Sequence, residues 1–336
     1  MMRACVMPRP MTRTLRPLLL ALSLGLLGPA QAAWLRDEQL QRLWELGKRD
    51  DLALVTQSLR SADAYAAQAM LANDLNDRAA IDRALGLAEA CVKQHPEAAN
   101  CQFVLGTVLS AKAINGGVLQ AMRLSGKVFD AWESALRLDP YLFEARIVLQ
   151  QTYLLLPSMA GGSVPKAEAL ELAVRSSQPE VAKLLRANLA AKKERWDEVE
   201  RELLAVKWGD DHSFHGQAMG VWQGLLRHWL KTNEHARARQ RMEQLMQQQP
   251  QSAVPAFSLG RVAADEGKHD EAIRWYERAR GLIGAHTLPI DYRQGLAYLD
   301  LGDKEKGRAL LQRFVQTPRV PPNNLSDAKK RLKELG

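Results

Sequence analysis

The sequence predicts an all-α protein: a right-handed α-solenoid of about eight helix pairs, closed by a C-terminal capping helix. Three observations lead there. The first is a single stretch, residues 253–283, where Leu259-Gly260, Gly267, Ala272, Tyr276 and Ala279 stand at spacings suited to two antiparallel helices. Gly260 and Ala272 are small where helix must approach helix. Tyr276 and Ala279 share one face of the second helix, and Gly267 admits the positive φ of a helix end. The second observation is recurrence at about 34 residues. Ala238 lies one period before Ala272, followed by Met242 and Leu245, and its partner helix carries Trp222, Leu225, Leu226 and Trp229. Gly295 follows Gly260 one residue late, with Tyr298, Leu301 and Gly302 after it, and Gly307 where a packing alanine is expected. Upstream, Leu105-Gly106 with Ala135, and Leu149 with Tyr153, repeat the pattern. The third is punctuation: Pro96, Pro140, Pro179 and Pro250 fall at the turns that close a repeat, where proline cannot continue a helix.

Small residues at these positions and this period resemble the tetratricopeptide (TPR) repeat. The repeats read as residues 34–64, 65–98, 99–142, 143–180, 181–218, 219–252, 253–287 and 288–321, with a cap at 326–335.

Residues 1–32 read as a secretory signal. Arg13 and Arg16 precede the short apolar run LLLALSLGLLG, and Ala30-Gln31-Ala32 is an A-x-A cleavage site. The run is too short to span a bilayer comfortably, so an exported, periplasmic protein cleaved after Ala32 is expected, with an uncleaved anchor as the alternative. Loss of Arg3, Arg9, Arg13 and Arg16, with no acid, lowers the formal net charge from +8 to +4. With acids and bases interspersed, this excludes nucleic acid as the expected partner, and the mature chain is not expected to span a membrane.

The first repeat is degenerate, with Leu52 in place of the packing alanine, as an end repeat open to water allows. The second packs through Ala84, Ala88 and Cys91. Cys91 and Cys101 flank Pro96 at equal distance, so antiparallel helices bring them to similar height. They read either as a disulfide in an oxidising compartment or as two small buried thiols. The third repeat is overlong. Its insert, residues 110–126, holds Gly116-Gly117 with Lys112 and Arg123, and Lys127 follows it; it reads as a partner-contacting lip or as two longer helices.

The fourth repeat carries LLLPSMAGGSVPKAEALELA, with helix expected up to Tyr153, a loop over 157–165, and a new helix at Ala167. Together with Glu133-Ser134-Ala135-Leu136-Arg137-Leu138-Asp139-Pro140, this string is similar, over residues 99–180, to exported TPR proteins such as the periplasmic subunits associated with TRAP transporters. The lipid-attachment Cys of those members is missing at the cleavage site. Gly161-Gly162-Ser163 reads as a structural turn, the alternative being an anion-binding row of backbone N–H groups.

In the fifth repeat, residues 208–216 read as a loop. Asp210, Asp211, His212 and His215 are ligand types at close spacing there, a weak metal candidate without the Cys or helical His frame of a structural zinc site. Neither a metal nor another cofactor is expected. In the cap, Ser326 reads as the N-cap, and Lys329, Lys330, Arg331 and Lys333 solvate the outer face.

The chain carries no G-x-S-x-G, no H-E-x-x-H and no paired catalytic string, so the expectation is no enzyme. The TPR resemblance implies ligand contacts from the first helix of each pair. On this chain these are Asn73, Asn76, Phe103, Thr107, Gln151, Asn188, Gln223, Arg227, Phe257, Arg261 and Tyr292. Amides, two arginines and aromatics suit a peptide or protein partner. The expected function is therefore a periplasmic interaction scaffold, the alternative being a module for a small or apolar ligand linked to transport.

Overall fold

Helix pairs recur because each apolar stripe needs a neighbour to cover it, and stacking supplies one. A computed structural model describes residues 33–209, 212–317 and 320–336. The signal segment and its cleavage site lie outside the described residues. Among those described there is no β-strand, and eight pairs follow one another. They are α1 (Glu38–Glu45) with α2 (Arg49–Thr56), α3 (Ala62–Asp74) with α4 (Arg78–Gln94), and α5 (Ala99–Asn115) with α6 (Gly117–Leu138). Next come α7 (Phe143–Leu155) with α8 (Val164–Leu172), α9 (Pro179–Lys192) with α10 (Trp196–Leu204), and α11 (His212–Lys231) with α12 (His235–Gln248). The last are α13 (Ala253–Asp265) with α14 (His269–Arg280), and α15 (Ile290–Asp300) with α16 (Lys304–Gln316), capped by α17 (Pro322–Glu334).

A single backbone device makes every pair. Each turn from first to second helix holds one residue at positive φ: Gly47, Asn76, Gly117, Gly161, Glu194, Asn233, Gly267 and Gly302 in order. At Gly267 (φ +74°) the sequence supplies the residue that reaches this region without strain. Asn76, Glu194 and Asn233 reach it at some cost, and asparagine tolerates it best of the side-chain-bearing residues.

Small residues then set how close the partners come. A Cβ on Gly260 would stand 2.5 Å from the Tyr276 ring, and one on Gly106 2.5 Å from Trp132. Each glycine is thus the socket for a large aromatic from the second helix, which buries itself without widening the pair. Leu52, Ala84, Ala88, Ala272 and Tyr276 are all fully buried. Each second helix packs on the first helices before and after it, as α4 does on α3 and α5, while successive first helices touch one another, α11 on α13 and α13 on α15. The first helices therefore form the inner layer.

Cys91 and Cys101 are joined by a disulfide that pins α4 to α5, with Cα atoms 5.3 Å apart. Closing so short a loop removes unfolded-state entropy worth about 2–3 kcal/mol. Reduction is expected to lower the unfolding free energy by that amount, read as a lower denaturant midpoint; an unchanged midpoint after full reduction would show the bond contributes nothing.

The insert of the third repeat is two longer helices meeting at Gly116-Gly117, one of the two readings the sequence offered, and Lys112 Nζ donates to Asp82 at 2.8 Å. Several other sequence expectations are corrected. α8 starts at Val164, three residues before Ala167, because Ser163 Oγ caps it by accepting from Lys166 N at 3.3 Å. α11 starts at His212, so the sixth pair begins before residue 219, and only part of 208–216 is loop. α17 starts at Pro322, the residue type suited to a first helical turn, which leaves Ser326 inside the helix rather than at its cap.

The N-terminal segment before α1 enters the core. Trp34 is buried, edge-on to Trp44 at 5.1 Å and to Phe103 at 6.0 Å, and its backbone N–H donates to Glu144 Oε1 at 3.3 Å. It thereby ties α5 to α7. At the far side the winding comes round on itself. Gly47, in the first turn, lies so near His286 that a Cβ there would stand 2.7 Å from Nδ1. Burial, then the charge of Arg49, hold the His286 imidazole below its ordinary pKa.

Candidate functional site

The inner layer sorts the residues placed there by sequence. Gln151 on α7, Asn188 on α9 and Arg227 on α11 converge on one cleft of about 540 Å³. Three successive pairs build it, and each contributes at least one polar side chain from its first helix. Asn188 Nδ2 donates to Gln150 Oε1 at 3.2 Å, which fixes its amide, while Gln151 and Arg227 are exposed. The wall is aromatic: Trp196, at the start of α10, stacks on His228 of α11 with centroids 4.4 Å apart and planes 11° from parallel. Lys231 and Thr232 close one end, and Glu194 stands beside them on its positive-φ turn. The cleft thus offers a flat π surface flanked by amides and cations, able to stack a ring or peptide plane and hydrogen-bond its edges.

Other positions are differently used. Asn76 is not on the inner face: α3 ends at Asp74, and Asn76 makes the positive-φ turn, its Oδ1 accepting from Asn115 at 3.2 Å. Phe103 is buried under Trp34, so the chain's own N-terminal segment covers it. Thr107 donates to the Phe103 carbonyl at 2.9 Å, a bond within its own helix. Phe257 is buried against Tyr276, ring centres 5.6 Å apart. Tyr292 is buried too, and its hydroxyl donates to Asp327 of the capping helix at 2.9 Å. Asn73 is buried, and Gln223 is half-buried on α11.

Arg261 on α13 is half-buried, and among the described residues no acceptor bonds its guanidinium. Burial lowers its pKa to about 10, and Arg293 of α15 and Arg227 push the same way. Arg293 and Trp196 were not foreseen from the sequence. Arg293 precedes Gly295 by two residues, whereas Arg261 follows Gly260 by one, so a fixed period misses it.

The glycine loop of the fourth repeat offers no anion site. Gly161 N donates to Ser158 O at 3.0 Å, Gly162 N to Pro157 O at 3.1 Å and Ser163 N to Tyr153 O at 3.0 Å, so all three N–H groups are spent inside the turn. Of the weak metal candidates, Asp210 and Asp211 lie outside the described residues, as does the side chain of His212. His215 Nε2 lies 2.7 Å from the Gly209 carbonyl and its ring is edge-on to Trp208. No cluster of three or more ligand-type side chains occurs among the described residues. Nor, among them, is any helix long and apolar enough to cross a membrane.

Family profiles described as tetratricopeptide repeat match residues 227–285 and 291–317, so the chain carries TPR repeats there. No curated protein matches the sequence. Among solved structures, yeast Tom70 aligns over 83% of this chain and 65% of its own, at 11% identity and TM-score 0.48. The chain therefore spans just under two thirds of the Tom70 structure. A tetratricopeptide repeat protein from Parabacteroides merdae aligns over 89% of this chain and 96% of its own, at 12% identity and TM-score 0.41. A monomeric mutant of IFIT1 with Gppp-AAAA aligns over 88% and 71%, at 12% identity and TM-score 0.50. At that identity the likeness to IFIT1 speaks for the fold alone.

Proposed function

We propose that this protein is a non-enzymatic, exported interaction scaffold that holds an extended segment of a partner protein along its inner layer. The observation that carries the reading is the convergence of Gln151, Asn188 and Arg227 from three successive first helices on one cleft. Amide side chains pair with peptide N–H and C=O groups whatever the sequence, and stacked rings accept a peptide plane or an apolar side chain. The TPR fold, whose ordinary work is to bind proteins, supports the same reading. Export is supported by the signal-like start of the sequence and by the Cys91–Cys101 bond, since such bonds persist in oxidising compartments.

The stacked Trp196–His228 wall favours one second reading, a small planar ligand in the same cleft, delivered to or from a transport system.

The test uses the mature protein, immobilised and challenged with periplasmic extract of its own source. The expected result is a protein partner whose recovery falls about tenfold or more when Gln151, Asn188 and Arg227 are all replaced by alanine, as loss of several buried hydrogen bonds implies. Equal recovery by the triple variant would end the groove reading. A co-purifying small molecule with no protein would carry the second.

A further inference from the structure

Arginines on this protein are mostly spoken for. On the second helices, Arg237 is paired with Glu200, Asp197 and Glu234; Arg239 with Glu266 and Glu271, both at 2.6 Å; and Arg313 with Asp291. Among the described residues, those with neither an ion pair nor a hydrogen bond fall into two groups. Arg42, Arg78, Arg83, Arg123, Arg274 and Arg278 are exposed, where water satisfies them. Arg227, Arg261 and Arg293 differ. They lie on three successive first helices, α11, α13 and α15, and Arg261 and Arg293 are half-buried. Among the described residues none of the three has a carboxylate partner, and Arg293 has only the Tyr292 ring, 5.4 Å from its guanidinium. Arg293 Nε is buried without an acceptor.

The three are close enough to feel one another: Arg293 and Arg227 both depress the Arg261 pKa. The one carboxylate that acts on Arg261 is Asp265, and it is held by His235 Nε2 at 2.6 Å. Independently, the fully buried Tyr276 hydroxyl has no hydrogen-bond partner. Arg293 and Arg261 both act on that phenol, while burial raises its pKa to about 12. Charged donors therefore gather on the inner layer with no carboxylate bonded to them, and the phenol of α14 is buried near them without a partner. A half-buried cation without a counter-charge is costly, so the cluster is suited to receive an anion.

We infer that the inner face of α11, α13 and α15 binds an extended acidic peptide segment, its carboxylates meeting Arg227, Arg261 and Arg293 in turn. The inference rests on the groove reading above and names the chemistry of the partner. Neighbouring helices in one layer stand about 10 Å apart, and an extended chain rises about 3.3 Å per residue. Acidic residues about three apart would therefore reach successive arginines. Guanidinium forks hold carboxylates bidentately, which sets register as well as charge.

The test is fluorescence anisotropy with a labelled peptide bearing glutamate at every third position, against the same peptide with glutamine. The acidic peptide is expected to bind the mature protein at least tenfold tighter than the glutamine version, and more weakly as salt rises. R261Q and R293Q are each expected to lower its affinity about tenfold or more, and R227Q, at an exposed position, by less. R261Q is expected to melt no lower than the natural protein, because it removes a desolvated charge that nothing pairs. If either inner variant fails to fold, R227Q and the glutamine peptide still decide. Equal binding of both peptides overturns the inference. So does indifference to all three substitutions, or a single-stranded oligonucleotide that binds through the same arginines more tightly than the peptide. A partner lost on replacing Gln151 and Asn188 but indifferent to the arginines would overturn this inference and leave the groove reading standing; one indifferent to both sets would overturn both.

Discussion

Replacing Gly162 with alanine is expected to cost about 3 kcal/mol, the upper range for forcing extra volume into a packed site. The new Cβ would overlap the Leu156 carbonyl oxygen and crowd Pro157, which are main-chain atoms with no rotamer to yield. The turn cannot open to make room, since it is closed by Gly162 N on Pro157 O and Ser163 N on Tyr153 O. Damage would reach Tyr153, which stacks on Phe129 at 4.8 Å and donates to Glu133 at 2.5 Å. Chemical denaturation of G162A measures this; an unchanged midpoint would mean the turn is far softer than its bonding implies. Gly161 is placed to behave alike, at φ +94° with its missing Cβ directed at the Phe129 ring.

Truncating Trp34 to alanine is the second large effect expected, about 3–5 kcal/mol. The indole is buried, touches α1 through Trp44 and α5 through Phe103, and its backbone reaches α7 through Glu144. Because a solenoid is stabilised by nearest neighbours, the loss should stay local. Amide hydrogen exchange should quicken from α1 to α7 and remain unchanged in α12 and α13, away from both Trp34 and the Gly47–His286 contact. Exchange that quickens evenly along the chain would contradict a nearest-neighbour fold. The truncation should also uncover Phe103, turning a plugged part of the inner layer into an open one.

The fold was legible because its determinants are local and periodic. Gly260, Ala272 and Tyr276 announce one pair, and Gly267 its turn; the same chemistry 34 residues away announces the next. What local pattern cannot show is which turns dispense with glycine. Asn76 reads as an inner-face amide by spacing, yet it is the positive-φ residue of its turn. Nor can periodicity show an element outside the repeats: nothing in Trp34 itself says that it will cover Phe103, some seventy residues on. The start of α11 was hidden for another reason. Its first turn is written in histidine, serine and glycine, weak helix formers that packing overrides, with Phe214 fully buried against Phe143. At the site, Gln151, Asn188 and Arg227 were reached by position alone, whereas Arg293 was missed because α15 is set out of step with the helices before it.

The approach of Gly47 to His286 has a consequence for how the chain comes apart. A coil whose first turn rests against the turn before its last pair has its ends joined, so fraying from the first pair must break that contact as well as the packing on its neighbour.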